Sequence, residues 1–231
     1  VRRILRTTGL EAHEVRSSLW DLVREGEVVL DSHTLGTDII IRCNKGLLDE
    51  TKRHISTIEE KVRDRLGDYI YGTDSETLEK VVGYLLSLRG MWLGVAESCT
   101  GGLLMDHLTN VPGSSNYLRG GVVAYSEEVK IKLLGVPKEL IEREGVVSGD
   151  VALGMANGIV KLLSVDLGVG ITGVAGPTGG DERHPVGEAF IALVSKGRNL
   201  VRRFRFSGNR EEIKLKVTQA ALDMIRRELI Q

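Results

Sequence analysis

The chain reads as an α/β protein: one mixed sheet with helices on both faces, preceded by a small α+β unit. Three observations predict this. Beyond Gly72, short apolar runs alternate with segments of helical periodicity, the rhythm of crossover-connected strands. The last two apolar runs, Gly187 to Val194 and Leu200 to Phe206, are separated only by Ser195 to Asn199. That gap is too short for a helical crossover, so these strands pair antiparallel. Upstream of Gly72 two helical segments and short strand-like runs alternate in a small α+β unit.

The first unit takes residues 1–72 and the second residues 73–231. The first holds a helix near Glu11 to Arg24, strands near Val28 to Leu30 and Thr37 to Arg42, and a helix from about Leu48 to Leu66. In that helix Ile55, Ile58, Val62 and Leu66 recur at helical spacing. Gly67-Asp68 ends it, and Tyr69-Ile70-Tyr71 reads as a short strand. Thr73-Asp74-Ser75-Glu76 has the form of a capping box, opening a helix that buries Leu78, Val81, Val82 and Leu85 and runs to about Leu88. A strand at Met91 to Glu97, a helix through Leu108, a strand at Gly120 to Tyr125 and helices at Glu127 to Leu134 and Ser148 to Leu163 follow. Strands at Leu167 to Thr172, Gly187 to Val194 and Leu200 to Phe206 complete the sheet, and Asn209 to Leu229 closes as a helix.

With 231 residues, 42% of them apolar and 27% charged, the chain can bury a sizeable core. Its 31 basic and 32 acidic residues nearly cancel, so no global field steers it to nucleic acid or membrane. No apolar run is long enough to span a bilayer and no signal-peptide core opens the chain, so a cytoplasmic location is expected. Cys43 and Cys99 lie far apart without metal spacing, which fits free thiols in a reduced compartment. The five histidines include no pair at helical ligand spacing, so neither a metal nor a cofactor is expected. Val1 is no initiator Met, which leaves room for a missing upstream domain. A homo-oligomer, a dimer, is the expected assembly.

Chemistry concentrates at Ala96-Glu97-Ser98-Cys99-Thr100-Gly101-Gly102, where a strand turns into a helix. Ser98 is a candidate nucleophile there, with the N–H groups of Thr100, Gly101 and Gly102 as donors to an oxyanion. No histidine accompanies it, so another base is needed. The stretch Ala124-Tyr125-Ser126-Glu127-Glu128-Val129-Lys130 offers Lys130, with Tyr125 to orient it or relay a proton, if burial lowers the amine's pKa. A third cluster, Thr172-Gly173-Val174-Ala175-Gly176-Pro177-Thr178-Gly179-Gly180, suits a loop that wraps the phosphate or ribose of a mononucleotide. It matches neither the Walker nor the Rossmann pattern. Plainer roles stand beside each: Ser98 or Thr100 as a helix cap, Cys99 as a small core residue or a reactive thiol, Lys130 as a solvated charge, the glycine loop as turn chemistry. Arg202, Arg203 and Arg205 read as a wet strand face.

Together these clusters resemble the nicotinamide mononucleotide deamidase family, the C-terminal domain of CinA, the competence/damage-inducible protein. The matches run from residue 74 to 231 and include Ala96 to Gly102, Val111-Pro112-Gly113-Ser114-Ser115 and Arg119 to Ser126. Lys130 with Leu133-Leu134-Gly135-Val136, Gly145 to Ser148, Thr172 to Pro177 and Pro185-Val186-Gly187 extend them. The resemblance implies a three-layer α/β/α fold and hydrolysis of the nicotinamide amide to the acid mononucleotide and ammonia. It places Ser98 on the family's nucleophile, Tyr125 and Lys130 on its tyrosine and lysine, and Arg210 on an arginine near the substrate. Thr100, Gly101, Gly102, Thr172, Gly173, Ala175, Gly176 and Arg210 become the oxyanion and substrate-binding set. The alternative is a catalytically silent nucleotide-binding or scaffold module of a larger protein.

Residues 1–72 resemble the KH-like segment of full-length CinA proteins, on Arg6-Thr7-Thr8-Gly9-Leu10 and Leu66 to Gly72. RNA-clamping KH loops need glycines at i and i+3, and Gly9, Gly26, Gly36, Gly46, Gly67 and Gly72 provide no such pair. The unit is therefore read as a linker or assembly domain, with no nucleic-acid partner. Three departures from the family stand out: Glu127 in place of asparagine, Asn209 in place of aspartate, and a shortened Asp181 to His184 stretch. Glu127, three residues before Lys130, would favour its charged form and oppose its use as a base.

Overall fold

Residues 1–43 and 48–231 are described by the computed structural model, which divides into two units, Val1–Val81 and Val82–Gln231. Gly46, one of the glycines weighed for a KH loop, lies outside the described residues.

The first unit is a four-stranded antiparallel sheet in the order β2-β3-β1-β4, with strands β1 (Arg2–Thr7), β2 (Val28–His33), β3 (Gly36–Arg42) and β4 (Ile70–Thr73). Helix α3 (Leu48–Leu66) covers it, and Leu5, Ile39, Ile41, Ile55, Ile58 and Val62 form a common core. Strand β1 was not foreseen, because Arg2, Arg3 and Arg6 interrupt its apolar pattern. Two of those charges are answered in three dimensions: Arg3 pairs with Asp74 and Glu59, and Arg6 with Asp38. The single helix expected over Glu11 to Arg24 is two, α1 (Ala12–Ser18) and α2 (Trp20–Arg24), broken at the fully buried Leu19.

Only half of the expected Thr73–Glu76 box forms, and it opens no helix at that point: the Thr73 hydroxyl donates to the Glu76 carboxylate at 3.0 Å instead of accepting the Glu76 N–H. The Thr73 N–H donates to the Glu76 carboxylate at 2.7 Å, and the Glu76 N–H to the Thr73 carbonyl at 2.9 Å, so the four residues close a turn. Asp74 sits in that turn at φ +49° and its N–H donates to the Ile4 carbonyl. Helix α4 (Leu78–Arg89) starts only after it.

The second unit has a five-stranded sheet in the order β6-β5-β7-β8-β9. Strands β5 (Leu93–Glu97), β6 (Leu118–Val123) and β7 (Leu167–Gly173) are parallel. Strand β8 (Glu188–Ser195) runs antiparallel to β7, and β9 (Arg198–Arg205) antiparallel to β8, so the sheet is mixed as expected. Side chains alternate across such a sheet. On one face glycines let helix α8 (Gly149–Leu163) approach: a Cβ on Gly170 would lie 2.1 Å from the Ala152 carbonyl oxygen. On the other face α5 (Leu103–Thr109) packs over β5 and β6 and α9 (Arg210–Leu229) over β8. Helices α6 (Glu127–Lys132) and α7 (Lys138–Glu144) precede α8; α7 was not foreseen.

The three parallel strands end on one side of the sheet, so the turns after β5, β6 and β7 collect there, which is where open α/β sheets bind ligands.

Candidate active site

Ser98 follows the last residue of β5 and is 8% exposed. Its carbonyl accepts the Gly101 N–H at 3.1 Å, closing a tight turn in which Gly101 and Gly102 hold φ of +66° and +96°. Only glycine adopts such angles without strain. Beneath the turn lies Glu97, fully buried, a residue the sequence reading passed over. Its carboxylate accepts the N–H groups of Gly102 at 3.0 Å, Leu104 at 3.1 Å and Met105 at 2.9 Å. The signal was available: an acid beside the start of a helix finds unpaired N–H donors there.

This changes the expected oxyanion donors. The Gly101 N–H is taken by the Ser98 carbonyl and the Gly102 N–H by Glu97, so neither is free for a substrate oxygen. Of the three, only the Thr100 N–H has no oxygen acceptor among the described residues. The Thr100 hydroxyl is buried without a hydrogen-bond partner among the described residues. Cys99 is no thiolate: burial pushes its pKa up to about 12, which removes the reactive-thiol alternative.

Lys130 is the base candidate that geometry joins to Ser98. Ser126 caps α6, its hydroxyl accepting the Val129 N–H at 3.3 Å, and the helix turns Lys130 inward to 2% exposure. Its Nζ donates to Ser98 Oγ at 3.1 Å, to the Ala124 carbonyl at 2.7 Å and to the Tyr125 carbonyl at 3.4 Å. Burial lowers its pKa, with Cys99 and Glu127 pulling the other way more weakly. The opposition expected from Glu127 is therefore real in sign and outweighed, because Glu127 is solvent-exposed while the amine is not.

Tyr125 presents a different picture. Its backbone carbonyl, not its phenol, hydrogen-bonds to Lys130; the residue is 64% exposed and its hydroxyl accepts from Arg210 at 3.3 Å. Arg210 also donates to the Gly176 carbonyl at 2.5 Å. Arg210 thus ties the start of α9 to the turns after β6 and β7.

The residues after β7 divide. The Thr172 hydroxyl donates to the Val146 carbonyl at 2.7 Å and holds the segment before α8. Gly173 is a packing glycine: a Cβ there would stand 2.5 Å from the Glu188 carbonyl oxygen. Ala175 and Gly176 are buried beside the Arg210 contact, while residues 177–180 are exposed. At the start of β8, Glu188 is buried and pairs with His184 at 2.6 Å and with Arg203. Burial pushes its carboxyl up, but hydrogen bonds from His184 and Arg203 more than offset this and leave its pKa lowered. Arg202, Arg203 and Arg205 are exposed, as a wet strand face requires, and Arg203 also pairs with Glu188 from that face.

Among the described residues no group of His, Cys, Asp and Glu could hold a metal ion, and no helix is long and apolar enough to cross a membrane.

A CinA-like protein of Koribacter versatilis is 42% identical over 210 residues, covering 90% of this chain and 48% of its own. A CinA-like protein of Dictyoglomus thermophilum is 38% identical over 231 residues, 99% of this chain and 56% of its own. The chain therefore spans about half the length of the curated relatives it matches. Among solved structures, the competence/damage inducible protein CihA of Agrobacterium tumefaciens superposes with a TM-score of 0.65 at 35% identity, over 67% of this chain and 94% of that one. With the sequence profile of the CinA C-terminal domain matching residues 75–229, the chain belongs to the CinA family.

Proposed function

We propose that the second unit is a serine amidohydrolase that converts nicotinamide mononucleotide to nicotinic acid mononucleotide and ammonia. One observation carries the reading: a lysine amine, buried and lowered in pKa, stands 3.1 Å from the hydroxyl of Ser98. A neutral amine has two hydrogens and one lone pair. The carbonyls of Ala124 and Tyr125 take the two hydrogens, and the lone pair is left for the Ser98 proton.

In this mechanism Ser98 Oγ attacks the carboxamide carbon as Lys130 takes its proton. The Thr100 N–H supports the oxyanion, a narrower set of donors than the glycine turn first suggested. Lys130 passes the proton to the departing nitrogen, ammonia leaves, and an ester on Ser98 remains. Water, deprotonated by Lys130, attacks the ester, and the proton returns to Ser98 as the acid is released. Tyr125 and Arg210 act at the mouth as positioning groups, and Ala175 and Gly176 line the side that Arg210 holds in place. No metal or cofactor enters. The first unit, KH-like by resemblance, serves as a linker or assembly domain in this reading, and a homodimer is the proposed assembly.

The test is ammonia release from nicotinamide mononucleotide by the chain and by Ser98→Ala. Release that Ser98→Ala abolishes supports the reading. Calorimetric binding of the mononucleotide with no ammonia from the parent protein would instead favour a silent nucleotide-binding module.

A further inference from the structure

Helix α9 carries a second cation one turn beyond Arg210. Lys214 projects over the Ser98 turn: a Cβ added to Gly101 would lie 3.6 Å from Lys214 Nζ. Gly101 is solvent-exposed, so the space above it opens outward. No carboxylate lies within ion-pair distance of Lys214 or Arg210 among the described residues. The acids beside them are otherwise placed: Glu212 reaches back to the Asn209 N–H at 2.8 Å, and Glu211 faces solvent. Among the described residues Arg210 itself hydrogen-bonds to a phenol and a carbonyl, both neutral.

Two like charges four residues apart on a helix repel each other, and the acids between them in sequence, Glu211 and Glu212, ion-pair with neither. Here the pair is left uncompensated on the face that overlooks the candidate nucleophile. An anion is the chemistry that relieves it. A phosphate monoester carries close to two negative charges and accepts from both a planar guanidinium and a point-charge ammonium.

We propose that Lys214 is a specificity-determining residue that binds the phosphate monoester of the substrate above Gly101, with Arg210 as its neighbour. Phosphate recognition then lies on α9 rather than in the glycine loop after β7, and the site selects a phosphorylated nucleoside over the bare one. The inference deepens the amidohydrolase reading and rests on it for the identity of the reaction, while the binding of a sugar phosphate does not depend on turnover.

The experiment has two arms on the full chain, with Lys214→Gln and Lys214→Arg compared with the parent. In the first, calorimetric titration with ribose 5-phosphate is set beside titration with ribose. Affinity for ribose 5-phosphate should fall roughly tenfold or more in Lys214→Gln and recover in Lys214→Arg. Equal affinity in parent and Lys214→Gln, or no binding of ribose 5-phosphate by the parent, overturns the proposal. In the second arm, kcat/KM is measured for nicotinamide mononucleotide and nicotinamide riboside. The ratio between them should fall by about tenfold in Lys214→Gln, mainly through KM of the mononucleotide; an unchanged ratio overturns the proposal. A parent that releases no ammonia from either substrate defeats the amidohydrolase reading alone, and the titration still decides Lys214.

Discussion

Lys130 and Glu97 show how a residue's neighbours decide its chemistry. Lysine is ordinarily a solvated charge, yet here its ammonium is enclosed with two carbonyls and a serine hydroxyl, and burial disfavours its charged form. Lys130→Met should lower kcat/KM for the amide by about a thousandfold or more while circular dichroism stays native. Because the base acts when neutral, kcat/KM should rise with pH through a limb centred below the ordinary lysine value of about 10.4. Linkage has the same sign. The native state sheds this proton before the unfolded chain does, so Lys130 weighs less against stability as pH climbs toward about 10.4. A pH–rate profile with no limb in that range would count against Lys130 as the base. Glu97→Ala removes three hydrogen bonds to a buried carboxylate and should cost about 3 kcal/mol, read by chemical denaturation. Ser98 and Lys130 were legible as candidates from their strand-end positions. Their contact was not, since 32 residues separate them.

At the level of elements, long periodic segments were readable and short or charged ones were not. Helices α3, α8 and α9 and strands β7 and β8 declare themselves by apolar spacing. Strand β1 hides behind Arg2, Arg3 and Arg6, of which Arg3 and Arg6 find partners on β3, α3 and the turn after β4. The Thr73–Glu76 box shows the converse: Glu76 reaches back to the Thr73 N–H as expected, but within a turn, because Thr73 first completes strand β4. Helix α8 lies close on the sheet through glycines at 168 and 170, a spacing of two that presents both to the same face. Gly170→Ala would drive a methyl to 2.1 Å from the Ala152 carbonyl oxygen and should destabilise the protein by about 3 kcal/mol. Thermal unfolding measures this, and a melting temperature equal to the parent's would refute the close approach.

For the whole molecule, two units with separate internal cores predict separable folding. A chain beginning at Thr73 should fold and keep the parent's rate of ammonia release within about threefold, since Ser98, Lys130, Tyr125 and Arg210 all lie in the second unit. Loss of that activity together with a native circular dichroism spectrum would assign the first unit a part in the chemistry. The sequence alone determined the fold class, the mixed character of the sheet and the short list of reactive side chains, because periodicity, gap length and residue chemistry are local properties. Only the tertiary structure decided which of them meet. It paired Ser98 with Lys130 and Tyr125 with Arg210, gave the Gly102 N–H to Glu97 and set Lys214 over Gly101, because parallel strands bring distant strand ends to one edge. Hydrogen-bond partners are chosen there by proximity in space, which spacing along the chain does not encode.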